Sequence, residues 1–174
     1  MVYGDFCRLI AVDFLTAPVL TTVPKKHPGD SLVLTIAPLF VEEVYTLADD
    51  GANGAVVLMS GMVRNRTDGR GVISLEYQAY APMAERVFCQ IATEVRLRWP
   101  EVTRVVIHHR TGHLGVGEIS VLIAIGSPHR REAFEACQFA IDTLKHAAPI
   151  WKKEHWQDGS SSWVTIGSCE QLSC

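Results

Sequence analysis

The chain has no CxxC pair and no Cys/His spacing that would clasp a zinc ion, and its five cysteines (Cys7, Cys89, Cys137, Cys169 and Cys174) are odd in number. With no disulfide framework or structural metal, the fold must rest on its hydrophobic core, and reduced thiols point to a cytoplasmic protein. No apolar run approaches the roughly 20 residues of a membrane helix. The start, MVYGDFCRLIAVDF, lacks the basic region and small-residue cleavage site of a secretory signal. Neither sign of charge is in marked excess, since 16 Lys/Arg against 19 Asp/Glu leave a formal charge of −3. That excludes the broad basic surface of a general nucleic-acid binder, so any anion site must be a local cluster. There is no P-loop, no GxGxxG fingerprint and no GxSxG elbow.

What is present suits one domain: 174 residues, 48 % of them hydrophobic. Residues 1–30, with prolines at 18, 24 and 28, read as an N-terminal extension of unknown role; 31–166 read as the folded domain and 167–174 as a tail. LVLTIAPLFVEEVYTLADD predicts a short strand and then a helix from about Leu39 to Ala48. GAVVLMSGMV and GVISLEYQAY predict strands separated by a polar loop, RNRTDGR. In PMAERVFCQIATEVRLRW, Met83, Val87, Ile91 and Val95 recur every four residues, the apolar face of a helix with Pro82 in its first turn. RVVIHHRTG and EISVLIAIGS predict a hairpin around LGVG. SPHRREAFEACQFAIDTLKHA predicts a second long helix, with Ser127 as N-cap, Pro128 at the first helical position, and Phe134, Cys137, Ile141 and Leu144 facing inward. WKKEHW and SSWVTI close the chain as strands around QDGSS. Sequence-adjacent strand pairs interrupted by two long helices predict an α+β fold with mainly antiparallel sheet.

Three basic clusters stand out. Lys145 falls in the last helical turn, where a cation complements the helix dipole. Pro149 then stops the helix, and the turn can bring Lys152 back beside Lys145, with Ile150 and Trp151 as walls. Two ammonium groups held together disfavour each other's protonation, which is how a lysine becomes a base or nucleophile near neutral pH. Lys153, one residue on, points the other way along a strand. Ser127-Pro128-His129-Arg130 offers free helix N–H groups, an imidazole and a guanidinium to an anion. Arg64-Asn65-Arg66 sits where a strand runs into a loop, a common place for binding residues. His129 and Lys145 lie sixteen positions apart, roughly 24 Å along a helix. Either they serve separate sites, or one pocket takes the lysines from one subunit and His129 with Arg130 from another. Cys137 reads as core, and His108 and His109 point to opposite faces of their strand, which is poor metal geometry.

GAVVLMSGMVRN, SPHRREAFEACQFAIDTLK and APIWKKE, in that order, resemble the large, catalytic subunits of molybdopterin synthases across roughly residues 35–165. The resemblance implies an α/β hammerhead fold and a sulfurtransferase of molybdenum cofactor biosynthesis. It implies a central homodimer in which each subunit binds a small ubiquitin-like sulfur carrier, giving a heterotetramer. Sulfur would pass from the carrier's thiocarboxylated C-terminus to cyclic pyranopterin monophosphate (precursor Z), forming the molybdopterin dithiolene with no metal or other cofactor. The family's catalytic lysines match Lys145 and Lys152. Its substrate-contacting positions match Met62, Val63, Arg64, His129, Arg130, Lys145, Lys152, Lys153 and Glu154. The family's basic residue near the C-terminus has no counterpart, because no Lys or Arg follows Trp163. Two other classes compete: a non-catalytic module that docks a ubiquitin-like tail, and a Schiff-base lyase using Lys145. Retention of all five basic positions argues against the first, and the lack of a nearby carboxylate pattern against the second.

Overall fold

The computed structural model describes residues 26–164. The greater part of the N-terminal extension and the C-terminal tail, with Cys7, Cys169 and Cys174, lie outside the described residues.

Four strands form the first sheet: β1 (Ser31–Thr35), β2 (Ala55–Met62), β5 (Arg104–Arg110) and β7 (Ile119–Ser127), in the order β1-β5-β7-β2. β1 runs parallel to β5, and the other two pairs are antiparallel. The continuous apolar run of β7 has a physical reason: this inner strand is covered on both faces. Val121, Ile123 and Ile125 face the helices α2 (Ala81–Arg98) and α3 (Arg130–Ala147), while Leu122 and Ala124 face the short helix α1 (Val41–Ala48) with Val44 and Ala48.

A second sheet is built on β4 (Arg70–Ala79). It carries β8 (Ile150–Trp156) and then β9 (Ser161–Val164) on one side, and β3 (Arg66–Thr67) and β6 (Gly112–Gly115) on the other. Val63, Val72, Leu75, Leu114 and Trp156 form its own small core. Among the described residues every strand pair except β1–β5 is antiparallel, and the fold is α+β with two long helices, as the sequence predicts. No described helix is long and apolar enough to cross a membrane.

Four local expectations need correction. Met83 and Phe134 are 51 % and 63 % exposed; each lies about 100° around its helix from a buried alanine, Ala84 or Ala133, that takes the inward position. Helix α3 begins at Arg130 with His129 as N-cap, because Ser127 is still paired with Ala55 in the β2–β7 ladder. Its hydroxyl oxygen instead accepts the His129 N–H at 3.4 Å. The stretch between β5 and β7 is not a simple hairpin loop, since β6 crosses from it to pair with β4. The RNRTDGR loop contains a tight hairpin: Thr67 pairs with Arg70, leaving Asp68 and Gly69 at φ 50° and 79°. An Asp-Gly dipeptide is the sequence signal for that two-residue turn.

A candidate cationic site at the seam of the two sheets

A cavity of about 540 Å³ opens where the end of α3 meets both sheets; Met62, Arg64, Tyr77, His109, Lys145 and Lys152 contribute to its lining. The chain geometry at the helix stop creates it. The Ala148 N–H closes α3 on the Leu144 carbonyl at 3.0 Å, and the Pro149 carbonyl accepts the Tyr80 N–H at 3.1 Å. β8 starts at once with Ile150, so its third residue, Lys152, returns to the cavity that Lys145 also lines. Arg64 arrives from β2 through a bulge: the β2–β7 register shifts between Gly61 and Met62. A Cβ on Gly61 would lie 2.6 Å from Val121 Cγ1, so any larger residue there would force the Val121 side chain or the strand to shift.

The two lysines are not equivalent. Lys145 is exposed and makes no ion pair among the described residues. Lys152 Nζ lies 3.0 Å from Glu154 Oε1, with the carboxylate side chain only 2 % exposed and the lysine 20 %. Thr67 Oγ1 donates to the same oxygen at 3.3 Å, while Glu154 Oε2 is enclosed without a partner. Residues two apart on a strand share a face, so Glu154 sits behind Lys152. The expected pair of mutually repelling ammonium groups is therefore modified: Lys152 carries a buried counter-charge, because a carboxylate so enclosed requires one.

The remaining sequence-selected residues divide by location. Met62 joins the cavity, whereas Val63 is packed in the core of the second sheet. Lys153 points away, its Nζ 5.8 Å from the centroid of the Trp163 ring. His129 and Arg130 line a separate cleft of about 300 Å³ with Gly54, Pro128 and Glu132. Helix α3 divides that cleft from Lys145, a separation of about 24 Å, so one chain does not bring all the basic clusters together.

Sequence reasoning missed the cavity floor. Tyr77, His109 and Ser120 lie there. The Tyr77 and His109 rings meet edge to face at 5.3 Å between centroids, and the Ser120 hydroxyl donates to the Gly61 carbonyl at 3.1 Å. Burial pushes the Tyr77 phenol above its usual range, with Ser120 opposing. His108 and His109 do face opposite sides, His108 Nε2 lying 2.9 Å from Ser31 Oγ. The sequence signal for His109 is its alternation with Val105 and Ile107, which places it on the helix-covered face. Cys137 is core, as expected, its thiol raised by burial to about 11. A neighbouring groove of about 420 Å³, walled by Pro149, Trp151 and Trp163, shares Ala148, Ile150 and Val164 with the cavity.

Residues 34–147 match the family described as MoaE protein. The chain belongs to the MoaE family. A family member from Nostoc sp., named molybdopterin synthase catalytic subunit, is 69 % identical over 156 residues, which is 90 % of this chain and 93 % of that protein. The crystal structure of molybdopterin synthase from Staphylococcus aureus superposes with a TM-score of 0.72 at 42 % identity, covering 75 % of this chain and 94 % of that one. A complex of subunits 1 and 2 of molybdopterin-converting factor from Helicobacter pylori has a TM-score of 0.59 at 20 % identity, covering 80 % of this chain and 92 % of that one, a likeness of fold alone. Arg64, His129, Arg130 and Lys145 fall inside the span matched to the family, and Lys152 lies just beyond it.

Proposed function

We propose that this chain is the catalytic subunit of a cytoplasmic molybdopterin synthase, moving sulfur from a thiocarboxylated carrier tail to cyclic pyranopterin monophosphate. The observation that carries this reading is the meeting of Lys145, Lys152 and Arg64 in one cavity of an otherwise slightly acidic protein. Both reactants are anionic, one a thiocarboxylate and the other a phosphate ester. Each transfer builds negative charge on oxygen at the attacked carbonyl, and fixed cations stabilise that charge, the more so once the bound carrier tail and substrate displace water from the cavity. Lys145 and Lys152 are the catalytic groups in this reading, and Arg64 and Met62 contact the substrate. Val63 and Glu154, both buried, hold the residues beside them. The carrier is a small ubiquitin-like protein whose extended tail lies in the Trp151–Trp163 groove and ends beside Lys145. His129 and Arg130 reach the cavity of a second copy, so that a homodimer with two carriers is the working unit.

The test is reconstitution. The chain mixed with thiocarboxylated carrier and precursor Z should form molybdopterin, and Lys145→Ala should lower kcat by about 100-fold or more, the order of one lost charge-stabilising group. No product from the unmodified chain would dismiss the reading, and full turnover by the Lys145 variant would remove that lysine from the chemistry.

A further inference from the structure

The cavity floor holds a group that the sulfur-transfer reading leaves idle. His109 is only 5 % exposed, and its Nδ1 lies 2.8 Å from the Arg110 carbonyl oxygen. A carbonyl can only accept, so Nδ1 carries the proton and, in the neutral ring, Nε2 keeps its lone pair. Burial holds the ring neutral at pH 7, pushing its pKa down to about 4. Nε2 has no hydrogen-bond partner among the described residues, yet it is not among the enclosed unpartnered atoms. His109 lines the cavity, and an Nε2 that is neither paired nor fully enclosed is the ring atom left to face it. The three cations around it, Arg64, Lys145 and Lys152, only donate. Asp68, the carboxylate in the lining, is on the exposed hairpin turn rather than at the floor.

We propose that His109 is a substrate-contact residue whose Nε2 accepts a hydrogen bond from an uncharged N–H or O–H group of the ligand, while the cations hold the ligand's anionic part. The edge-on Tyr77 ring and the bond to Arg110 fix the plane of the imidazole, so the acceptor is aimed before the ligand arrives. The ligand class is a polar heterocycle or polyol that also bears an anionic group. This rests on the proposed function, under which the donor belongs to the uncharged ring portion of the pyranopterin. A ring that stays neutral at pH 7 is a weak base there, so His109 orients the substrate and moves no proton.

The experiment compares His109→Asn and His109→Gln with the unmodified chain, each full-length and combined with thiocarboxylated carrier. Asparagine keeps a donor for the Arg110 carbonyl but has nothing at the Nε2 position, whereas the glutamine amide oxygen can accept there. We expect Asn to raise KM and the calorimetric Kd for precursor Z by about 10-fold, the scale of one hydrogen bond with its partner left unpaired. Gln should stay within about 3-fold of the unmodified chain, and carrier affinity should be unchanged in both. Equal KM and Kd in the Asn variant would overturn the assignment, as would parallel losses in both variants that extend to carrier binding. Should Asn fail to fold, His109→Leu, which suits the apolar neighbours, carries the same comparison. Failure of the unmodified chain to make molybdopterin would strike the proposed function instead, so the two failures are distinguishable.

Discussion

Lys152 and Glu154 form a half-buried ion pair, which separates the two lysines experimentally. Removing one partner of such a pair strands a buried charge, at about 3 kcal/mol or more when both are enclosed. Lys152 is 20 % exposed, so Lys152→Ala should cost somewhat less, on the order of 2 kcal/mol. Lys145→Ala, at an exposed side chain with no ion pair among the described residues, should change stability by less than about 0.5 kcal/mol. Urea unfolding of both variants checks this, and equal losses would mean that the Glu154 contact contributes little. Activity lost through Lys145 is therefore interpretable as chemistry, while activity lost through Lys152 must be corrected for fold. His109 makes a second prediction at this scale. Its folded pKa is about 4 against an ordinary 6.5, so between those values the unfolded chain binds the extra proton. Stability is untouched above pH 6.5 and falls as pH drops toward 4, by up to about 3 kcal/mol. His108, also lowered by burial, adds in the same direction. Burial is the cause of the lowered His109 value, with the bond to the Arg110 carbonyl opposing it. Arg64, Lys145 and Lys152 are the charged groups that line the same cavity, with Asp68. Thermal melts from pH 7 to 4.5 should show His109→Gln losing less than the unmodified chain; identical slopes would mean that the imidazole protonates freely when folded.

At the scale of elements, the site depends on two junctions. One is the stop of α3 at Ala147 followed directly by β8, which returns Lys152 to the cavity that Lys145 also lines. The other is the bulge at Gly61 that turns Met62 and Arg64 into the cavity. Gly61→Ala would push a methyl against Val121 Cγ1, 2.6 Å away. Overpacking of that kind costs about 1–3 kcal/mol and should displace Arg64, so activity should fall more than the melting temperature suggests. A variant with full activity would show that the bulge does not aim Arg64. The first junction was legible in the sequence, because Pro149 stops the helix and leaves WKKEHW only a few residues in which to turn back before the QDGSS turn. The second was not legible, since a Ser-Gly-Met stretch inside a strand does not reveal which partner residue crowds it. The same limit hid the floor: His109 declares itself only when Tyr77, from a strand more than 30 positions earlier, is packed against it. Ser127 was misplaced for a related reason. A Ser-Pro pair signals a helix start locally, but the ladder with Ala55 holds the serine in the sheet.

At the scale of the molecule, the two basic ends of α3 pose an assembly question. Lys145 and Lys152 share one cavity, whereas His129 and Arg130 line a cleft at the opposite end of the same helix. A small phosphate ester cannot span about 24 Å, and the proposed twofold dimer would solve the problem by placing each subunit's helix start at its partner's helix end. This arrangement makes a prediction that a single-chain site cannot mimic. Lys145→Ala and Arg130→Ala, each purified, should be nearly inactive alone. After co-expression or exchange in equal amounts, half of the dimers are mixed. In each mixed dimer one site receives both substitutions and the other receives neither. About a quarter of all sites should then regain full function, as symmetry requires for a composite isologous pair. If Lys145 and Arg130 of one chain served the same site, every site would carry one defect and the mixture would stay inactive. Measuring molybdopterin formation before and after subunit exchange decides between these arrangements. The expected recovery depends on no assumption about which lysine moves a proton, because it counts intact sites only.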